Sequence, residues 1–302
     1  MGGEERTGAQ TGRAKAYLML VSSMLIFGTI GIFRRYIPLS SGALAFSRGL
    51  MGTLTLILFT RLSGRGGKRT LNRWQMGWLG FSGMLMGVNW MLLFEAYRYT
   101  TVATATLCYY MQPTLVILLS PLLLKEKLTP VKLICAAVSL LGMVLVSGLA
   151  GEDAAAQGGK GVVLGLGAAL FYGAVVLMNK KMPQGDAYER TTVQLLAAAV
   201  VMVPYLFFSG PVLQGEMTPL ALAMLLVVGV VHTGVAYALY FGSLGRLKGQ
   251  SVAVISYLDP VSALLLSALF LQEPITPAGT AGAVLILGAA LVSELCGGKK
   301  EA

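Results

Sequence analysis

The chain has 302 residues, of which 56% are hydrophobic and only 12% are charged. A water-soluble protein of this size carries about 25% charged residues, so the composition excludes a soluble globule and favours a multi-span membrane protein. The formal net charge of +10 does not indicate a nucleic-acid-binding protein, because the basic residues form small groups between apolar runs, without interleaved aromatic side chains.

Apolar runs long enough to cross a bilayer core, about 20 residues each, recur along the whole chain. Glycine, proline and polar clusters separate these runs, and none alternates with the period of two that a barrel strand requires. We therefore predict an all-α integral membrane protein with ten transmembrane helices. The predicted spans are approximately residues 16–33, 41–60, 75–97, 101–124, 130–149, 161–179, 191–208, 218–243, 250–271 and 276–296.

The distribution of lysine and arginine predicts the orientation of the spans. Residues 1–15 form a polar, basic tail without a small-residue cleavage motif, so we expect an uncleaved first span. With this tail in the cytoplasm, 18 of the 23 Lys and Arg residues fall in inner loops and 4 in outer loops, while Arg48 lies within a span. The positive-inside rule then predicts a multi-pass protein of the cell (plasma) membrane with both termini cytoplasmic.

One segment of the chain occurs twice. Residues 110–130 read YMQPTLVILLSPLLLKEKLTP, and residues 257–277, which lie 147 positions later, read YLDPVSALLLSALFLQEPITP, with ten of 21 positions identical. The same register pairs Gly87 with Gly234, Trp90 with Tyr237, and Phe94 with Phe241. We predict a first repeat of five helices over 16–149, an outer linker over 150–160, a second repeat of five helices over 161–296, and a cytoplasmic tail over 297–302.

Five is an odd number of spans, so the second repeat is predicted to lie upside down relative to the first. Inverted repeats are typical of secondary transporters, in which a substrate site at the membrane midplane opens to each side in turn. A bundle that is duplicated for structural reasons alone is the alternative interpretation.

The paired motif P-x12-E-x3-P and the segment AFSRGLMGTL at residues 45–54 resemble the drug/metabolite transporter superfamily, in its ten-helix EamA-type family. The motif is formed by Pro113, Glu126 and Pro130 and again by Pro260, Glu273 and Pro277. The resemblance covers about residues 16–296 and implies a secondary transporter that usually exports a small metabolite. It also implies that spans one to four and six to nine surround a central cavity, with spans five and ten outside.

Asp259 and Arg48 are the charged candidates for the substrate cavity. An acid near the bilayer centre costs about 2.5–3.5 kcal/mol on insertion scales, so Asp259 is expected to face a cavity or a partner. It could couple transport to protons or bind an ammonium group, or it could be a structural acid. Arg48 could bind a substrate carboxylate, or it could pair with an acid or with helix-end carbonyl groups.

Polar and aromatic side chains at mid-membrane depth complete the predicted cavity, and interhelical packing is their alternative role. They are Asn89, Trp90, Tyr109, Tyr110, Gln112, Tyr237 and Tyr257. An aromatic chamber with few charges suits amphipathic substrates such as amino acids or drug-like cations. His232, the one histidine of the chain, is either a proton relay or a hydrogen-bonded packing residue.

The duplicated segments also suggest mechanical roles. Pro113 and Pro260 each remove a backbone donor in mid-span, which predicts either hinges for alternating access or static kinks. Glu126 and Glu273 end the duplicated helices, where a carboxylate can accept from free N–H groups at the start of the following helix. We therefore expect these two acids to be structural.

These observations together predict a non-enzymatic secondary active transporter, exporting a small metabolite such as an amino acid or an amphipathic cation. The alternatives are an importer of an organic cation or of a nucleotide-linked metabolite, a non-transporting membrane assembly protein, and a lipid-modifying membrane enzyme. No nucleotide-binding loop is present, and Cys108, Cys135 and Cys296 lack metal-ligand spacing. We expect no cofactor or metal and no nucleic-acid partner, but a small-molecule substrate, the lipid bilayer and possible proton coupling.

Overall fold

The computed structural model of the protein is helical throughout its described part, where the one strand-like feature is an antiparallel bridge between Leu39 and Leu213. The structure describes residues 2–64, 70–123, 129–147, 159–181, 186–208, 211–244, 247, 252 and 255–297. The helices are α1 (Gly2–Gly28), α2 (Ile30–Arg35), α3 (Ser41–Leu62), α4 (Arg73–Tyr99), α5 (Val102–Tyr109), α6 (Gln112–Leu123), α7 (Pro130–Ser147), α8 (Gly159–Lys180), α9 (Ala187–Phe208), α10 (Pro219–Leu226), a π-helical stretch (Val227–Val235), α11 (Ala236–Leu244), α12 (Leu258–Leu271) and α13 (Pro277–Gly297).

Within the described residues, seven helical segments are long and apolar enough to cross a membrane. Three shorter apolar helices, Pro130–Val146, Leu258–Leu271 and Pro277–Ser293, lie where the other predicted spans fall. The helical class is therefore confirmed. The first helix differs from the predicted span, because α1 begins at Gly2 and not near residue 16.

Side-chain caps explain where several helices begin. Asn72 and Gln75 form a reciprocal capping box at the start of α4, and the Thr101 side chain accepts from the N–H group of Thr104. Each Thr-Pro pair of the duplicated segments opens a helix. The hydroxyl groups of Thr129 and Thr276 accept from backbone N–H groups two residues beyond the prolines that begin α7 and α13. A proline is tolerated at a first helical position because its missing N–H group would have no intrahelical partner.

The prolines expected in mid-span lie instead in the first turns of new helices. The fourth predicted span is interrupted at Tyr110 and Met111, and α6 then begins at Gln112, one residue before Pro113. Likewise α12 begins at Leu258, two residues before Pro260. A proline in a first turn costs no hydrogen bond, so each duplicated segment starts at a break and continues as a new helix.

Most of the extensive helix contacts in the described part of the chain join a helix of the first half to one of the second half. Helix α4 packs against α8 and α9, while α1 packs against α11 and α12. Helix α3 contacts α9 and the π-helical stretch, and α7 pairs with α13. The main buried cluster lies chiefly among α3, α4, α8, α9 and the π-helical stretch, and a smaller one joins α5, α7, α8 and α13.

Contacts between loops define two ends of the helix bundle. At the Glu273 end, the N–H group of Ser40 donates to Val212 O over 2.8 Å, and Arg35 pairs with Glu273 over 2.9 Å. At the Glu189 end, the N–H group of Thr70 donates to the Glu189 carboxylate over 2.9 Å. All loop residues in the Glu273-end contacts belong to predicted outer loops or their borders, and those of the Glu189 end belong to predicted inner loops.

Candidate functional site

Arg48 lies in the middle of α3 and is only 4% exposed. Its Nε donates to Thr233 Oγ1 over 3.1 Å, and its guanidinium carbon lies 4.0 Å from the centre of the Trp90 ring. Phe94 borders the same group at 5.4 Å. The guanidinium makes no other hydrogen bond and no ion pair with the described residues, so its terminal amino groups are left to bind another acceptor.

The π-helical stretch carries Thr233, the hydrogen-bond partner of this arginine, and the neighbouring His232. The hydroxyl group of Thr233 donates to Val228 O, five residues earlier, over 3.0 Å. His232 Nε2 lies 2.7 Å from Thr29 Oγ1, and the imidazole packs edge-on against Phe33. The histidine is 1% exposed. Its geometry is that of a packing residue bonded across helices, and the π-helical widening places it beside Thr233.

Asp259 occupies the first turn of α12 and accepts a hydrogen bond from the Tyr110 hydroxyl over 2.5 Å. No basic side chain of the described residues forms an ion pair with it. The break between α1 and α2 lies close by, since a Cβ atom at Gly28 would sit 2.7 Å from Asp259 O. The residue is half-buried.

The aromatic rings of this part of the bundle form two groups, one around Tyr109 and one around Tyr237. Tyr109 stacks on Tyr172 at 5.3 Å and meets Tyr110 edge-on at 5.7 Å. From the other side, Tyr237 packs edge-on against Phe27 at 5.3 Å and stacks on Phe241 at 5.8 Å. All of these rings are half-buried. We call the region between Arg48 and Asp259 that contains these rings the chamber.

Arg48 and Asp259 border the same chamber without forming an ion pair. A low-dielectric chamber with one positive and one negative group, each with free hydrogen-bonding capacity, can orient a small molecule that carries both charges.

Three further cavity candidates lie in α4, at the start of α6 and just before α12. The Asn89 amide donates to Ala168 O in α8 over 2.6 Å and is fully buried, while its Oδ1 has no partner among the described residues. Gln112 lies beside α8 near Gly173, and Tyr257 is half-buried just before α12. Asn89 thus joins two helices, whereas the ring of the neighbouring Trp90 packs against the guanidinium of Arg48.

Glu273 joins Arg35 and the start of α5 at one end of the bundle. Besides Arg35, its carboxylate accepts from the N–H groups of Val102 at 2.9 Å and Ala103 at 3.3 Å, at the start of α5. We expected it to serve the helix that follows it, but the first turn of α13 is capped by Thr276. Glu126 lies outside the described residues.

Sequence reasoning missed Thr29, Phe33 and Thr233. Single hydroxyl and phenyl groups are common in apolar spans, so composition gave no reason to select them. The register of the repeat offered one signal: His232 and Thr233 stand where the first copy has Leu85 and Met86. Within the described residues, no cluster of three or more His, Cys, Asp and Glu side chains could hold a metal ion.

Comparisons with known proteins agree with this architecture. The model of the EamA-like transporter family matches residues 14–148 and 159–294. "Uncharacterized transporter YxxF" of Bacillus subtilis (strain 168) is 30% identical over 261 residues, covering 85% of this chain and 82% of the relative. "Protein PecM" of Dickeya dadantii is 28% identical over 207 residues, covering 68% of each chain.

Two more distant matches extend over nearly the whole chain. An "uncharacterized transporter" of Archaeoglobus fulgidus is 24% identical over 276 residues, covering 91% of this chain and 94% of the relative. A solved crystal structure with 21% identity covers 96% of this chain and 100% of its own, with a TM-score of 0.63, so the two proteins share a fold. The resemblance read from the paired motifs is therefore confirmed: the chain belongs to the EamA-like transporter family of membrane proteins.

Proposed function

We propose that the protein is a secondary active transporter that exports a small organic molecule by alternating access. The observation that supports this proposal is that neither Arg48 nor Asp259 forms an ion pair within the described part of the chain, and that each makes a single side-chain hydrogen bond there. A molecule with a carboxylate and an ammonium group, such as an amino acid, would satisfy both. An amphipathic cation would use Asp259 and the tyrosine rings alone.

The proposed architecture is two inverted repeats of five spans each. The helix contacts support it, because each contact recurs when every span is replaced by its counterpart in the other half. The contact of α4 with α8 corresponds in this way to that of α11 with α1. The contact of α4 with α9 corresponds to that of the π-helical stretch with α3, and the contact of α7 with α13 corresponds to itself. The two stretches of the family match, 14–148 and 159–294, have nearly equal lengths and also support a duplication.

The proposed orientation places the Glu189 end in the cytoplasm and the Glu273 end outside the cell membrane. The excess of lysine and arginine in the predicted inner loops supports it. An even number of spans would put both chain termini in the cytoplasm.

Asp259 is the proposed site of proton coupling. Its hydrogen-bond partner is a neutral tyrosine, so the carboxyl group can gain or lose a proton without breaking an ion pair. A substrate ammonium group or a proton could then occupy the same carboxylate in turn. Such alternating occupancy is one way to couple substrate movement to proton movement in the opposite direction. Coupling through Asp259 requires that transport respond to a proton gradient.

Transport by the purified protein in liposomes tests this function. We expect uptake or release of radiolabelled amino acids or amphipathic amines to depend on the protein, to respond to a proton gradient, and to fall strongly in Asp259→Asn. Vesicles with the protein in each orientation distinguish export from import, the alternative direction, which would suit an organic cation or a nucleotide-linked metabolite. If no tested class of molecule moves, a non-transporting membrane protein is favoured.

A further inference from the structure

The terminal amino groups of Arg48 can bind an anionic group only if the side chain is held in one place. Arginine has four rotatable side-chain bonds, and an unrestrained guanidinium would not present its planar edge to a carboxylate. In this protein three contacts restrain it: the Trp90 ring at 4.0 Å, the Phe94 ring at 5.4 Å, and the hydroxyl group of Thr233 at 3.1 Å from Nε. Of these three, only the threonine makes a directional hydrogen bond.

The orientation of the Thr233 hydroxyl is fixed by the backbone. It donates to Val228 O over 3.0 Å, so its lone pair faces Arg48. Threonine in an α-helix commonly bonds the carbonyl group three or four residues earlier, whereas the π-helical stretch offers the one five residues earlier. Close packing against α3 also fixes the side chain, since a Cβ at Gly52 would lie 3.0 Å from Thr233 Cβ.

The matching region of the first half has neither feature. Counting back 147 positions, Met86 stands in place of Thr233, and α4 continues there as an unbroken α-helix. The scaffold therefore does not need a threonine or a π-helical turn at this depth. Their presence in one half only, directly against the buried arginine, is unexplained by packing alone.

We infer that Thr233 is a positioning residue that orients Arg48 toward the chamber and thereby determines selectivity for substrates with a carboxylate. The inference rests on the proposed function, in which Arg48 meets an anionic group. Thr233 itself need not touch the substrate. It occupies Nε, which leaves the two terminal amino groups as a planar pair of donors, the geometry suited to bidentate binding of a carboxylate.

Fluorescence of Trp90 offers a direct test, because that ring lies beneath the guanidinium. The chain has three tryptophans, so Trp74→Phe and Trp78→Phe leave Trp90 as the sole reporter. The probes are L-phenylalanine, 3-phenylpropionate, which lacks the ammonium group, and 2-phenylethylamine, which lacks the carboxylate. In Thr233→Val, we expect binding of the two carboxylates to weaken about tenfold, from the lost hydrogen bond to a charged group. Binding of the amine should change less than about twofold by the same reasoning.

Thr233→Ser, which keeps the hydroxyl group, should restore carboxylate binding. Ser82→Ala is the matched control, because it removes an equally buried hydroxyl group that accepts from Gln194, in a cluster separate from Arg48. An equal loss for all three probes in Thr233→Val, or no loss for any, would overturn the inference.

A second readout needs no ligand. If Thr233 positions Arg48, then the Trp90 emission of ligand-free Thr233→Val should shift toward that of Arg48→Met, while Ser82→Ala keeps the original emission. Emission of Thr233→Val that coincides with the unsubstituted protein, when Arg48→Met differs, would overturn the inference. Absence of binding by all three probes in the unsubstituted protein would count against the proposed substrate site, and the emission comparison would still decide the role of Thr233.

Discussion

The two duplicated segments, around Pro113 and around Pro260, share a framework and differ in their chemistry. Each has a tyrosine three residues before the proline, a break in the helix, and a new helix with the proline in its first turn. One residue before the proline they differ: the first copy has Gln112, beside α8, and the second has Asp259, bound to Tyr110.

The difference indicates how such a scaffold acquires a site. Residues that the two copies share form breaks, helix starts and close contacts, which both halves need in order to pack. Residues that only one copy has include Asp259 and Thr233 in the second half and Arg48 in the first, and Thr233 bonds Arg48. We therefore expect substitutions of shared residues to change stability and substitutions of unshared ones to change transport.

The largest expected effect comes from removing the charge of Asp259, whose counterpart in the first copy is the neutral Gln112. Asp259→Asn keeps the shape of the side chain and removes its charge. Loss of one member of a buried charged contact costs about 2–5 kcal/mol, so transport of an ammonium-bearing substrate should fall about 100-fold. Flux in proteoliposomes measures it. Asp186→Asn, the same change at an exposed acid of the Glu189 end, is the control, and equal flux in both variants would contradict the role of Asp259.

A smaller effect on binding is expected from substituting Arg48, which has no counterpart in the second half. Arg48→Gln removes the planar donors, and hydrogen bonds to charged groups contribute about 1.5–3 kcal/mol. Affinity for carboxylate-bearing substrates should therefore fall about 30-fold. Competition binding with matched substrates, with and without the carboxylate, measures the change. Equal losses for both kinds of substrate would show that Arg48 acts on the fold and not on the ligand.

A shared residue should instead affect stability. Gly87 is matched by Gly234, and a Cβ at position 87 would lie 2.6 Å from Ala198 O in α9. Gly87→Ala is expected to lower the free energy of unfolding by about 1–3 kcal/mol, because the helices must move apart. Gly80→Ala is the control in the same helix, since nothing lies within 4 Å of its Cβ position. Thermal unfolding in detergent distinguishes them, and similar midpoints would refute the close approach.

The smallest expected effect is at the Glu273 end. Glu273→Gln removes the ion pair with Arg35, whose side chain is 50% exposed, but keeps an acceptor for the N–H group of Val102. Solvent screening limits the loss of stability to about 1 kcal/mol or less. The same variant should increase labelling of a cysteine placed at position 103. Glu95→Gln, where an exposed pair with Arg98 is lost, should leave labelling unchanged, and equal labelling in both variants would contradict a closing role for Glu273.

Much of the scaffold was accessible to sequence reasoning. Apolar runs gave the helices, and the repeated Thr-Pro pairs gave the starts of α7 and α13, because caps and prolines act locally. The sequence did not reveal that the breaks precede Pro113 and Pro260, since the preceding residues have no strong helix-breaking tendency. It also did not reveal that Glu273 serves α5, because that contact joins positions 170 residues apart.

The chamber was predicted only in part, for a related reason. Asp259, Arg48 and the tyrosines were found because charges and hydroxyl groups are costly in a membrane. The π-helical stretch was not found, because valine, glycine and threonine form α-helices in apolar spans equally well. Within it, His232 bonds Thr29 at the break between α1 and α2, and Thr233 accepts from Arg48 in α3. These contacts arise only in the folded protein.

The central claim is that the chamber between Arg48 and Asp259 opens to each side of the membrane in turn. Labelling of a single cysteine at Tyr237, in protein without Cys108, Cys135 and Cys296, tests it most directly, with an impermeant reagent applied to one side of oriented vesicles at a time. The account predicts labelling from both sides and protection by substrate. Labelling from one side only, whatever substrate is present, would contradict it.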